Sequence, residues 1–188
     1  MLRTAAFLAL SLAALAPAPA ALTVRDIDGR TWTPLAPAQG EVNLLVFVTT
    51  DCPISNRYAP EVGRIAAEYS SRHVRTFLVY TDPALDVARV RAHTADFHAA
   101  GPLPAIIDTG LKLTTEVDVT VTPEVAVYSA AGRAYRGRID DLYVNIGQMR
   151  REPTRRDLRL ALDAVLAGHP VAVAETQAVG CFIERTKR

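Results

Sequence analysis

The stretch Val42-Asn43-Leu44-Leu45-Val46-Phe47-Val48-Thr49-Thr50-Asp51-Cys52-Pro53-Ile54-Ser55-Asn56 decides the fold. Residues 42–49 form a near-continuous apolar run rich in Val, Leu and Phe. Such a run, with no alternation of polar positions, predicts a strand buried on both faces, as in a parallel sheet. A helix is predicted directly after it. Pro53 suits a first helical turn, where a missing N–H leaves nothing unpaired. Tyr58, Val62, Ile65, Ala66 and Tyr69 then recur on one helical stripe. Pro60 lies early in that helix and is expected to kink it. Cys52 falls at the junction. Free N–H groups and the helix dipole both favour a negative charge there, and hence a thiolate. The neighbouring Asp51 carboxylate works in the opposite direction.

Working outward, Asp28-Gly29 between Val24/Ile27 and Thr31/Trp32 reads as a hairpin turn. A second strand is predicted over 74–80. Asp82 is expected to cap a helix with Pro83 at its first position and Val87, Val90, Thr94 and Phe97 on its inner face. A short strand over 104–107 and a short helix over 109–117 follow. Residues 125–128 and 134–139 read as strands joined at Ala131-Gly132. Thr154 and Asp157 stand at capping-box spacing and open a last helix. Leu158, Ala161, Leu162, Val165 and Leu166 stripe that helix and Gly168 closes it, leaving a tail that carries Cys181. The order is that of an α/β fold, with a central mixed β-sheet flanked by helices, an N-terminal β-hairpin and a C-terminal helix plus tail.

Residues 1–20 differ in kind. Arg3, an apolar run over 5–16 and the ending Pro17-Ala18-Pro19-Ala20 have the layout of a secretory signal peptide. The run is too short for a membrane span, which needs roughly 20 residues. Cleavage is expected after Ala20, giving a periplasmic or extracellular domain over 21–188 with no membrane span. Within the 188 residues, charged side chains make up 22% and apolar ones 49%, and the net charge is +1. These values fit one globular domain and offer no basic surface for nucleic acid.

Cys52 and Cys181 are the two cysteines. Without a C-x-x-C spacing, a zinc ribbon and covalent haem attachment are excluded. His73, His93, His98 and His169 are scattered, so no metal site is expected and no cofactor is implied. Arg150, Arg151, Arg155, Arg156 and Arg159 read as a solvated helix face or a docking patch for an acidic partner.

A strand, Cys-Pro-x-x at a helix start and Val121-Thr122-Pro123-Glu124 before a later strand resemble the thioredoxin-like superfamily. The pieces Asp51-Cys52-Pro53, Tyr135-Arg136-Gly137-Arg138-Ile139-Asp140-Asp141 and Val179-Gly180-Cys181-Phe182-Ile183 are similar to the redoxin, peroxiredoxin-like subgroup related to alkyl hydroperoxide reductase and thiol-specific antioxidant. The resemblance implies a cis bond at Pro123, with that proline beside Cys52 and Thr122-Pro123 binding substrate. Thioredoxins carry a second cysteine where this chain has Ser55, which is read here as a helix-capping hydroxyl. Thr49 matches the peroxiredoxin threonine, whereas Leu45 replaces that family's proline and Thr122-Pro123 stands near its arginine. Arg138 and Asp140 are expected to pair with each other, without a catalytic role.

Three functions stay open. One is an exported thiol–disulfide oxidoreductase acting on protein thiols or disulfides, with Cys52 as nucleophile and Cys181 resolving it. The second is a thiol peroxidase acting on small peroxides. The third is a redox-inert binding module stapled by a Cys52–Cys181 disulfide. Cys52 is expected on the first turn of its helix and partly exposed, with Cys181 folded back within disulfide reach.

Overall fold

The computed structural model describes residues 22–96 and 101–185. The expected signal peptide and Phe97 lie outside them. In chain order the elements are β1 (Val24–Arg25), β2 (Thr31–Trp32), β3 (Val42–Val48), α1 (Pro53–Ser70), β4 (Val74–Tyr80), α2 (Val87–Thr94), β5 (Ala105–Ile107), α3 (Lys112–Val117), β6 (Val121–Thr122), β7 (Glu124–Ser129), β8 (Gly132–Gly137), β9 (Tyr143–Asn145), β10 (Gln148–Met149), α4 (Asp157–Leu166) and β11 (Cys181–Phe182).

The central sheet has five strands in the order β5-β4-β3-β7-β8. β3 runs parallel to β4 and antiparallel to β7, so the sheet is mixed. Every residue of β3 is buried. Its side chains alternate between two cores, as a pleated strand requires. Leu44, Val46 and Val48 face α1 and α4, while Leu45 and Phe47 face α3 and the β1–β2 hairpin. Each fully buried side chain of this size stabilises the fold by about 1.5–3 kcal/mol. α1 runs unbroken through Pro60 and buries the expected stripe of Tyr58, Val62, Ile65, Ala66 and Tyr69.

Three helix starts differ from the sequence reading. Asp86, not Asp82, caps α2, accepting from the Arg89 N–H at 2.8 Å. Asp82 instead accepts from the Ala84 N–H at 2.9 Å, so Pro83 lies in a turn ahead of the helix. The buried face of α2 is then Val90 and His93, and Val87 is exposed. α3 begins at Lys112, because the buried Asp108 carboxylate accepts from the N–H groups of Leu113 and Thr114 and from the Thr114 hydroxyl. α4 begins at Asp157 without the capping box. Thr154 donates its N–H and hydroxyl to Asp141, and Asp157 is held by Arg138 and Arg155.

Arg138 therefore does not pair with Asp140, which accepts instead from the Tyr58 hydroxyl and the Leu142 N–H. Much of the arginine cluster is engaged within the fold. Arg159 bonds Glu61 and Glu68 on α1, Arg156 lies against Glu61, and Arg150 lies against Asp141. The β9–β10 hairpin was not anticipated in the sequence.

Beyond α4 the tail crosses the sheet edge and is fastened by backbone. Arg136 N–H donates to Ala174 O, and Thr176 N–H donates to Arg136 O. The Thr176 hydroxyl is shared with the Tyr135 hydroxyl at 2.6 Å and accepts from the Arg138 N–H at 3.1 Å. Gly137 permits this approach, since a side chain there would run into Thr176. β11 then pairs antiparallel with β6, placing Cys181 opposite Thr122 and Phe182 opposite Val121. Beyond it, Ile183 N–H donates to Thr120 O, and Arg185 donates to Val119 O.

Candidate functional site

Adjacent parallel strands end at one edge of the sheet, where loops meet and open α/β folds place their sites. Val48 of β3 is in register with Tyr80 of β4, so the loop 49–52 lies beside the loop 81–83. The 120–124 loop closes the third side. Its Thr122-Pro123 bond is cis, as expected, and the buried Glu124 carboxylate accepts from the Thr120 N–H at 3.2 Å.

Cys52 is the N-cap of α1, with extended backbone and Pro53 opening the helix. Its thiol donates to Thr122 O at 3.1 Å. Thr49 lies alongside, its hydroxyl 3.3 Å from that of Thr122. Thus Cys52, Thr49, Pro53, Thr122 and Pro123 are gathered as the sequence suggested. Ser55 joins them, but not as the cap. Its hydroxyl is buried and has no hydrogen-bond partner while Cys52 is a thiol.

Cys52 is only 1% exposed, against the expectation of partial exposure. The tail is the cause. Gly180 presses directly on the Thr122 peptide, where any Cβ would run into its carbonyl, and Cys181 is set opposite Thr122, whose carbonyl the Cys52 thiol bonds. Both cysteines are free thiols. The two sulfurs are not equivalent. Burial alone would raise Cys52. The thiol and N–H of Cys181 and the hydroxyl and N–H of Ser55 outweigh it and bring Cys52 below the ordinary thiol range. Burial and the nearby charges of Cys52 and Asp51 push Cys181 up to about 12. An anion is therefore favoured on Cys52, while Cys181 keeps its proton.

The two cysteines open onto a cleft of about 420 Å³ between the loops and β11. Its wall includes Asp51, Asp82 and Phe182, which the sequence reading named in other roles, and Thr81 and Glu184, which it did not name. Thr81 and Asp82 were legible in principle, since they follow a buried strand parallel to the one leading to Cys52. Glu184 carried no such signal. Among the described residues, no group of three or more His, Cys, Asp or Glu is placed to hold a metal. No helix among them is long and apolar enough to cross a membrane.

No family model and no curated protein matches the sequence. Solved structures do resemble the fold. A conserved uncharacterized protein from Geobacillus kaustophilus superimposes with a TM-score of 0.74 at 20% identity, covering 89% of this chain and 91% of its own. A hypothetical protein from Sinorhizobium meliloti 1021 gives 0.70 at 24% identity, covering 89% and 92%. A secreted Mycobacterium tuberculosis disulfide oxidoreductase homologous to E. coli DsbE gives 0.52 at 19% identity, covering 79% and 96%. The fold is thioredoxin-like, as the motifs around Cys52 and Pro123 implied.

Proposed function

We propose that the chain is a thiol–disulfide oxidoreductase in which Cys52 attacks and Cys181 resolves. The observation that carries this reading is the meeting of both cysteines on Thr122 at the mouth of α1, the Cys52 thiol on its carbonyl and Cys181 opposite it in β11, where they line one cleft. The Cys52 thiolate displaces one sulfur of a substrate disulfide, forming a mixed disulfide, and the leaving thiolate takes up a proton. Cys181 then loses its proton and attacks the Cys52 sulfur. A Cys52–Cys181 disulfide forms and the second substrate thiol leaves. Two electrons pass from the protein dithiol to the substrate, and the reverse sequence oxidises a substrate dithiol. Ser55 supports the first step, because its unpartnered hydroxyl becomes a donor when the sulfur ionises. Thr122 holds the thiol before that step.

Two features favour this over peroxide reduction. No cation is found among the described residues lining the cleft, so nothing there assists departure of a peroxide oxygen. A second cysteine also lines the same cleft, opposite the residue that holds the Cys52 thiol. The layout of residues 1–20 supports export, with the domain 21–188 acting outside the cytoplasm on protein or small-molecule disulfides and without an organic or metal cofactor.

The test uses the reduced Cys181→Ser protein mixed with the neutral 2-hydroxyethyl disulfide and followed by intact mass. A stable 2-mercaptoethanol adduct mapped to Cys52 is expected, and none with Cys52→Ser. The intact protein should instead pass rapidly to an internal disulfide. Absence of a Cys52 adduct, or release of the adduct at equal rates with and without Cys181, overturns the assignment.

A further inference from the structure

The cleft in front of the cysteine pair has a marked chemical character. Asp51, Asp82 and Glu184 contribute carboxylates to its wall, and all three residues are exposed. Among the described residues none of them forms an ion pair, unlike the arginine-bonded acids elsewhere on the surface. Deeper in the same wall lies Thr81, 3% exposed, whose hydroxyl has no hydrogen-bond partner. A buried hydroxyl left unpaired is destabilising unless something enters to pair with it. The cleft thus offers an unpaired hydroxyl and uncompensated negative charge, beside apolar surface from Pro83, Phe182 and Ile183. Its volume of about 420 Å³ suits a small molecule or the side chains next to a cystine.

Resting on the oxidoreductase reading, we propose that this cleft selects disulfides carrying an ammonium or guanidinium group a few atoms from the sulfur. The cation sits among Asp51, Asp82 and Glu184, one of its N–H groups donates to the Thr81 hydroxyl, and the disulfide is laid against Cys52. The exchange is the two-step one given above: for each disulfide reduced, two protonated thiols are released and the protein dithiol becomes the Cys52–Cys181 disulfide. An anionic disulfide meets three like charges at the same entrance and is repelled. The arrangement also removes a handicap of the site. Carboxylates beside a sulfur oppose its ionisation, and an entering cation neutralises them as the sulfur must ionise.

The experiment compares three disulfides of similar size on the reduced, full-length protein: cystamine, 2-hydroxyethyl disulfide and 3,3′-dithiodipropionate. Rates of thiol loss are divided by those of 2-mercaptoethanol with the same reagents, which removes intrinsic reactivity. The corrected ratio of cystamine to dithiodipropionate should be roughly tenfold or more at low salt and fall steeply at high salt. In Asp82→Asn/Glu184→Gln that ratio should drop towards one, and Thr81→Val should slow cystamine more than 2-hydroxyethyl disulfide. Paired cystine peptides flanked by Arg or Glu extend the comparison from small molecules to protein segments. A ratio near one in the unaltered protein, or one unchanged in the double variant, overturns the charge selection while leaving thiol exchange standing. Failure of all three reagents to oxidise Cys52 overturns both readings.

Discussion

The two halves of the cysteine pair are held in opposite ways. Cys52 ends a strand buried at every position and begins a helix with nine buried residues. Cys181 lies on a two-residue strand whose neighbours are fastened by main-chain bonds and by two close approaches that only glycine permits. The first is placed by hydrophobic burial, the second by local hydrogen bonds over an otherwise exposed segment. Regions of the second kind open at lower free energy than the core. The difference gives the pair a fixed member and a movable one. The movable one is what keeps Cys52 at 1% exposure.

The largest effect should come from damaging the frame. Phe47→Ala removes a fully buried ring from the central strand and should lower unfolding stability by about 3–5 kcal/mol, measured by chemical denaturation. Both cysteines should become reactive together, because the whole domain loosens.

Gly137→Val should separate the two regions. The glycine has φ of 144° and no room for a side chain against Thr176, so the tail should detach while the frame stays folded. Alkylation of Cys52 in the reduced protein should accelerate roughly tenfold or more, equivalent to at least about 1.4 kcal/mol of lost docking. Far-ultraviolet circular dichroism should remain near that of the parent. Equal protection of Cys52 in this variant would break the comparison.

Thr176→Val is a milder cut. It leaves the Tyr135 hydroxyl with its bond to Arg138 O but takes a partner from the Arg138 N–H, and should weaken tail docking by roughly 1 kcal/mol. Hydrogen exchange at Cys181–Phe182 should rise several-fold, with little change in β3.

The smallest change is one of order rather than size. In alkylation against pH, Cys52 should titrate below the usual thiol value of about 8.5. Cys181 should remain protonated well above it, towards about 12. Near neutral pH the first adduct should therefore map to Cys52. Early labelling at Cys181 would show that exposure outweighs ionisation in deciding which thiol reacts.

Legibility in the sequence followed the same division. β3, Cys52 and α1 could be read because their signals are local: an unbroken apolar run, a proline at the helix start and one helical stripe. Thr122-Pro123 was readable through a motif. The helix caps were not: Asp86 displaces the expected Asp82, Asp108 serves a helix for which no cap was read, and Asp141 holds Thr154 from a distant loop. The course of the tail was invisible because residues 171–179 dock by main-chain bonds to β8, which leave no periodic trace. The acid-lined cleft is assembled from two loops and the tail, so no single stretch contains it.

The placement of Cys181 on so late a strand also sets an order of events during synthesis. β3 and the first turns of α1 emerge with Cys52 long before its partner exists, when nothing covers the sulfur. In an oxidising compartment that early thiol is open to capture by whatever small disulfide is at hand. When β11 arrives and zips along Thr122, it delivers a second thiol to the capped sulfur. By the exchange proposed above, that thiol expels the adduct. The last of the described strands would then undo covalent errors accumulated at the first cysteine, and the same attack that resolves a catalytic intermediate would serve the newborn chain as proofreading.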